Sequence, residues 1–100
     1  MELKTTIDGS SATIVIVGNL TVATAPSLEA AFLDLPESVT DITFDLTDLV
    51  YVASAGLRVI VFSEKEARQR GGSVCLAHPN DEVMEVLDVT GLVDILNIER

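Results

Sequence analysis

The sequence predicts a single α/β domain over residues 1–100, with helices packed on a small, mixed or mostly parallel sheet that begins with a hairpin. Three observations carry this. Short β-like runs alternate along the chain with segments of helical periodicity, the order expected of a layered α/β domain. One hundred residues, 48% of them apolar, suffice for one self-supporting core without disulfides or metals. No internal repeat or low-complexity run interrupts the pattern.

Each element has a local cause. Leu3, Thr5 and Ile7 alternate with Glu2, Lys4 and Thr6, the period-two signature of a half-exposed strand. Asp8-Gly9-Ser10-Ser11 supplies turn chemistry, and the β-branched run Ala12 to Val17 closes a hairpin as its more deeply buried strand. Gly18 to Ala23 reads as a loop. Thr24 then caps a helix through about Leu33, with Pro26 in its first turn and Leu28, Ala31 and Phe32 on one face. Leu35-Pro36-Glu37-Ser38 ends it. Asp41 to Leu46 alternates again, with Ile42, Phe44 and Leu46 on one side, so strand, helix and strand imply a parallel crossover.

The apolar run Val50-Tyr51-Val52 stops at Ala53-Ser54-Ala55-Gly56, and a helix runs from Ala55 to about Arg70, with Gly71-Gly72 as its stop. Leu57, Ile60, Val61 and Ala67 make a core-facing stripe. Val59 and Phe62 add apolar surface on other sides, which fits either a partner face or a helix packed from two directions. Ser73 to Ala77 is one more buried strand. His78-Pro79-Asn80 forms a turn, Asn80 caps a short acidic helix with Val83, Val86 and Leu87 inward, and Thr90-Gly91 breaks it. Leu92 to Ile98 is a terminal apolar segment with room for a short strand. The order is ββαβαβα with a tail.

Sixteen acidic against six basic residues give a net charge of −10, and the bases are scattered. Such a chain is a poor match for nucleic acid, whose phosphates demand clustered cations, and for anionic membrane surfaces. A protein partner with a basic face suits it, and simple solubility is the bland explanation. Cys75 is the single cysteine and reads as core filler. The N-terminus lacks the pattern of a signal peptide, and the apolar stretch Leu49 to Phe62 is interrupted and too short to cross a bilayer, so a cytoplasmic protein without membrane insertion is expected.

Ser54 sits where strand or loop gives way to helix and reads as an N-cap, its hydroxyl accepting from the N–H of residue 56 or 57. The same free N–H groups and the positive end of the helix dipole would also favour a phosphate on Ser54.

The stretch Asp45-Leu46-Thr47-Asp48-Leu49-Val50-Tyr51-Val52-Ala53-Ser54-Ala55-Gly56-Leu57-Arg58 resembles the strand, loop and helix around the Asp-Ser-Ser-Gly-like motif of STAS domains of the anti-sigma-factor antagonist type. Gly18-Asn19-Leu20-Thr21 resembles that family's Gly-x-Leu-Asp loop, and Thr90-Gly91-Leu92 its Ser-Gly-Leu-like step, in the right order along nearly the whole chain. The resemblance implies a partner switch. The unphosphorylated domain binds an anti-sigma factor that is also a serine kinase and so frees a sigma factor. Phosphorylation on Ser54 releases the partner, and a metal-dependent Ser/Thr phosphatase resets the switch. Ala53 replaces the motif's aspartate, Ala55 its second serine and Thr21 the aspartate of the first loop, which leaves Ser54 as the one acceptor of the motif. The expected partner face is Asn19, Leu20 and Thr21 with Ala53, Ala55, Gly56, Leu57 and Arg58 around Ser54, and Phe62 more weakly.

Two other readings compete. A hydrolase would need a nucleophile elbow, but Val52 stands where its first glycine belongs, and the only histidine, His78, precedes a proline in a turn without an orienting carboxylate. No phosphate-cradling Gly-rich loop and no Cys/His metal spacing is present, so neither cofactor nor metal is expected. The stronger competitor is a constitutive scaffold of the same fold in a larger assembly, with Ser54 a helix cap only.

Overall fold

Two residues, Gly9 and Ser10, suffice to reverse the chain between β1 (Glu2–Asp8) and β2 (Ser11–Leu20), because Asp8 pairs with Ser11 and the antiparallel register then runs back to Glu2 opposite Val17. The computed structural model describes residues 1–100. After the hairpin come α1 (Ala25–Leu33), β3 (Asp41–Asp45), β4 (Leu49–Val52), α2 (Ser54–Gln69), β5 (Ser73–Ala77), α3 (Asp81–Val89), a 3-10 turn at Leu92–Asp94 and β6 (Asn97–Glu99). The six strands form one mixed sheet ordered β1-β2-β3-β5-β6, antiparallel only at the hairpin, with β4 lying parallel beside the end of β2.

The period-two pattern places every second strand residue under the helices. Ala12, Ile14 and Ile16 of β2, Ile42 and Phe44 of β3, and Val74 and Leu76 of β5 are buried with Leu28 and Phe32 of α1 and Ile60 and Ala67 of α2. The residues between them, such as Thr13, Thr43 and Cys75, face outward half-exposed. The helices therefore cover one face of the sheet. Cys75 is on the other face and is half-buried rather than core filler; desolvation, then the nearby Glu99 charge, push its thiol above the ordinary value.

Several expectations are revised. The segment read as a loop from Gly18 is strand as far as Leu20, because Gly18, Asn19 and Leu20 pair with Leu49, Tyr51 and Val52. That pairing makes β4 a strand in its own right, giving the order ββαββαβα before the tail. The terminal apolar segment divides into the 3-10 turn and β6, which pairs with β5. In α2, Val59 is buried and Val61 half-exposed, the reverse of the expected stripe, because the helix packs against both the sheet and α1. Phe62 meets Phe32 edge to face at 6.2 Å, and the Arg70 guanidinium lies over the Phe32 ring at 5.5 Å.

Candidate functional site

The site is built where β2 and β4 end together. Gly18, at φ 98°, marks the register shift between Gly18 and Asn19, and its N–H donates to the Asp48 carbonyl at 3.0 Å. Two residues further on, the Ala53 N–H donates to the Leu20 carbonyl at 2.8 Å. The Asn19-Leu20-Thr21 stretch and the start of α2, far apart in sequence, are thus laced through backbone bonds. Gly56 completes the junction: a Cβ there would lie 2.4 Å from Leu20 Cγ and 3.1 Å from Val52 Cγ2, so only glycine lets the first turn of α2 rest on the end of β2.

The turn after β2 is self-supporting. Thr24 is the N-cap residue of α1, but its hydroxyl serves the loop instead of the helix, donating to the Asn19 carbonyl at 2.9 Å and accepting from the Thr21 N–H at 2.8 Å. Thr21 Oγ1 accepts from the Ala23 N–H at 3.2 Å, the acceptor task a short carboxylate also performs, here without a charge. On the other side, Thr47 donates to Asp45 Oδ1 through its hydroxyl at 2.6 Å and its N–H at 3.0 Å. Those two bonds, the hydroxyl's first, hold the Asp45 carboxyl below the usual carboxylate range and shape the turn from β3 to β4.

Ser54 is not the cap. Ala53 holds that position with extended backbone (φ −94°, ψ 170°), its carbonyl accepts from the N–H groups of Gly56 and Leu57, and no side chain caps the helix. Ser54 is the first helical residue, exposed, with its hydroxyl unbonded to any protein group. The cap expected from sequence is one residue out, since a serine beside an alanine at a strand-to-helix junction invites the assignment to the serine. No acidic residue occupies the first turn, so the positive end of α2 faces solvent uncompensated.

Around Ser54, Asn19 and Arg58 are exposed, and Thr21, Ala53, Ala55 and Phe62 are partly so. Arg58 lies one helical turn beyond Ser54 and makes no ion pair. Leu20, Gly56 and Leu57 were expected on the same face, but they are buried, Leu20 completely. They shape the surface from beneath instead of forming it. Two residues support the site from behind, Asn80 through a bond beyond its expected cap and Glu64 without a sequence-based role. Asn80 caps α3 by accepting from the Val83 N–H at 2.8 Å and donates through Nδ2 to the Leu49 carbonyl at 3.0 Å, which ties α3 to β4. Glu64, buried in α2, accepts from the Val74 N–H at 2.9 Å and from Arg68, fastening the helix to β5. No helix is long and apolar enough to cross a membrane.

A one-sided mixed sheet that presents a free serine at an uncapped helix start, locked to a strand-end loop, defines the class. The STAS domain family model matches residues 2–100, and the chain belongs to that family. Within it, the chain is similar to the anti-sigma-B factor antagonist of Bacillus subtilis (strain 168), with 35% identity over 83 residues that cover 83% of this chain and 76% of the relative. A crystal structure from Thermotoga maritima superposes with a TM-score of 0.90 at 25% identity, covering 98% of this chain and 86% of that one. The Bacillus cell fate determinant SpoIIAA in its phosphorylated form shares the fold at a TM-score of 0.78 and 17% identity, covering 99% and 92% of the two chains.

Proposed function

We propose that this domain is an anti-sigma factor antagonist whose binding is controlled by phosphorylation of Ser54, and that it acts by binding and not as an enzyme. The unphosphorylated domain binds a kinase-type anti-sigma factor in the cytoplasm and displaces the sigma factor. That kinase transfers the γ-phosphoryl group of ATP to Ser54 Oγ, which loses its proton as ADP departs, and the complex separates. A Ser/Thr phosphatase then hydrolyses the phosphoserine.

The observation that carries this reading is the exposed, unengaged Ser54 hydroxyl at the start of α2. A serine whose role was to cap would have its oxygen on a backbone N–H. This one is free to be modified without loss of a structural bond. The names of the relatives support the general role.

The physics of the switch follows from the surroundings. A phosphate adds about −1.5 to −2 charges at neutral pH to a surface otherwise formed by Ala53, Ala55 and the polar groups of Asn19, Thr21 and Arg58. The helix N-terminus offsets about 0.3–1 kcal/mol of that. Arg58, on the same helical face and unpaired, is the side chain able to turn toward the phosphate, which would also withdraw it from a partner. An interface that must desolvate the phosphate loses more than these contacts return. Binding falls while the fold persists.

The test is intact mass after incubation with ATP and each purified kinase-type anti-sigma factor from the same genome, with Ser54→Ala as control. One phosphate on the wild type and none on the variant is expected. Absence of phosphate with every candidate, together with stable incorporation into another assembly, would overturn the switch in favour of a constitutive scaffold.

A further inference from the structure

The strand that leads to Ser54 has a second side. β4 pairs only with β2; beyond it lies α3, hydrogen-bonded to it through Asn80. Between strand and helix runs a groove of about 410 Å³, with Val50 and Tyr51 on one wall and Val83 and Val86 on the other. Val50 and Tyr51 are 59% and 53% exposed, adjacent apolar side chains held in water by a strand with one free edge. Glu82 and Glu85 also line the groove, both exposed, and no lysine or arginine does.

We propose that this groove is a second docking point for the anti-sigma factor, receiving an aliphatic side chain from a partner segment that carries lysine or arginine beside it. The inference rests on the function proposed above and adds where the partner is held apart from Ser54. Charge sets the chemistry of the occupant, because an apolar channel flanked only by carboxylates in a chain of charge −10 repels acidic segments and attracts basic ones. A second copy of this chain would bring the same excess of acid to the contact. Continuity places the occupant on the same partner. Val52 lines the groove, and a Cβ on Gly56 would meet its Cγ2 at 3.1 Å, so Val52 borders both the groove and the first turn of α2. Tyrosine in such a place is a suitable anchor, since it brings large apolar area at small entropic cost with a polar end that stays wet.

The test measures the affinity of the purified anti-sigma factors from the same genome for wild type, Tyr51→Ser, the double variant Glu82→Gln/Glu85→Lys, and Ser54→Asp, at low and high salt, with thermal melts of each. The expected result is loss of binding for Ser54→Asp, weakening of about tenfold or more for Tyr51→Ser, and a flatter salt dependence for the charge variant, all with melting temperatures close to wild type. Binding that responds to Ser54→Asp but to neither groove variant overturns the groove and leaves the phosphorylation switch standing. No binding to wild type by any of the factors overturns both. A dimer of this chain that Tyr51→Ser dissociates puts a second copy in the groove and also overturns the proposal.

Discussion

At its C-terminal end α2 carries Glu64, buried, with its carboxylate on the Val74 N–H and Arg68, and beyond it Arg70 lying over the Phe32 ring. At its N-terminal end the same helix carries Ser54, exposed, on an uncapped first turn without a compensating acid. One end uses charged residues to bind the helix to its own domain. The other has no charged residue in its first turn, Ser54-Ala55-Gly56-Leu57, and leaves its dipole and free N–H groups to the outside. A helix start with no internal partner is costly to stability by about 1 kcal/mol, and such a cost is retained where the unsatisfied end has a task.

The contrast is broken most severely at Glu64. Glu64→Ala removes the acceptor of the buried Val74 N–H and leaves a void between α2 and β5, and we expect a loss of about 2–3 kcal/mol in unfolding free energy by urea denaturation. The affinity of the folded fraction for an anti-sigma factor should not change, because Glu64 lies more than two turns along the helix from Ser54. An unchanged stability would show that the carboxylate contributes nothing net; a lost affinity would join the two ends that the comparison separates.

The difference between the ends also explains what could be read from the sequence. The hairpin, α1, β3, β5 and the Asn80-capped α3 announce themselves through local periodicity, turn residues and caps, and the structure has them within a residue or two, except that β2 runs three residues past Val17. The apolar run of β4 stays undecided between strand and loop because its pairing with Gly18, Asn19 and Leu20 is long-range, short, and runs through a glycine that reads as loop. Glu64 sits in Ser63-Glu64-Lys65-Glu66, a polar run that looks like a solvated face, and nothing local marks one of its carboxylates as buried. The strand-to-helix junction at Ser54 is legible in the sequence, but the register of Ser54 at the helix start is not. A one-residue shift moves a side chain from capping the helix to standing free, and only the carbonyl of Ala53 accepting from Gly56 and Leu57 reveals which residue has the cap position.

Acid sharpens the comparison from the strand side. Asp45 shapes the turn before β4 through its bonds from Thr47, and those bonds lower its folded-state pKa. The unfolded chain therefore takes up this proton first as pH falls. Its stabilisation is fully present above the unfolded value near 3.8 and disappears as pH drops through the lowered folded value. Asp45→Asn should unfold at lower urea than wild type at neutral pH, and the gap should close below about pH 3.8. Asp45 is largely solvated, so the gap is small, well under that of Glu64→Ala. A gap constant with pH would assign the effect of the substitution to something other than the carboxylate's charge.

The smallest effect on stability belongs to Ser54, and its sign is informative. If the hydroxyl capped α2, Ser54→Ala would cost about 1 kcal/mol. As an exposed first-turn residue with no bond to lose, it should change stability by no more than about 0.5 kcal/mol, toward stabilisation given alanine's higher helix propensity. Ser54→Asp places a carboxylate at the positive end of the helix and should also be neutral or slightly stabilising. Binding is expected to run the other way, with Ser54→Ala preserving it and Ser54→Asp weakening it. Urea denaturation and affinity measured on the same three proteins thus separate the two roles of the position. A serine that supports the fold lowers stability when removed, whereas one that serves the partner leaves the fold unmoved and changes only who binds.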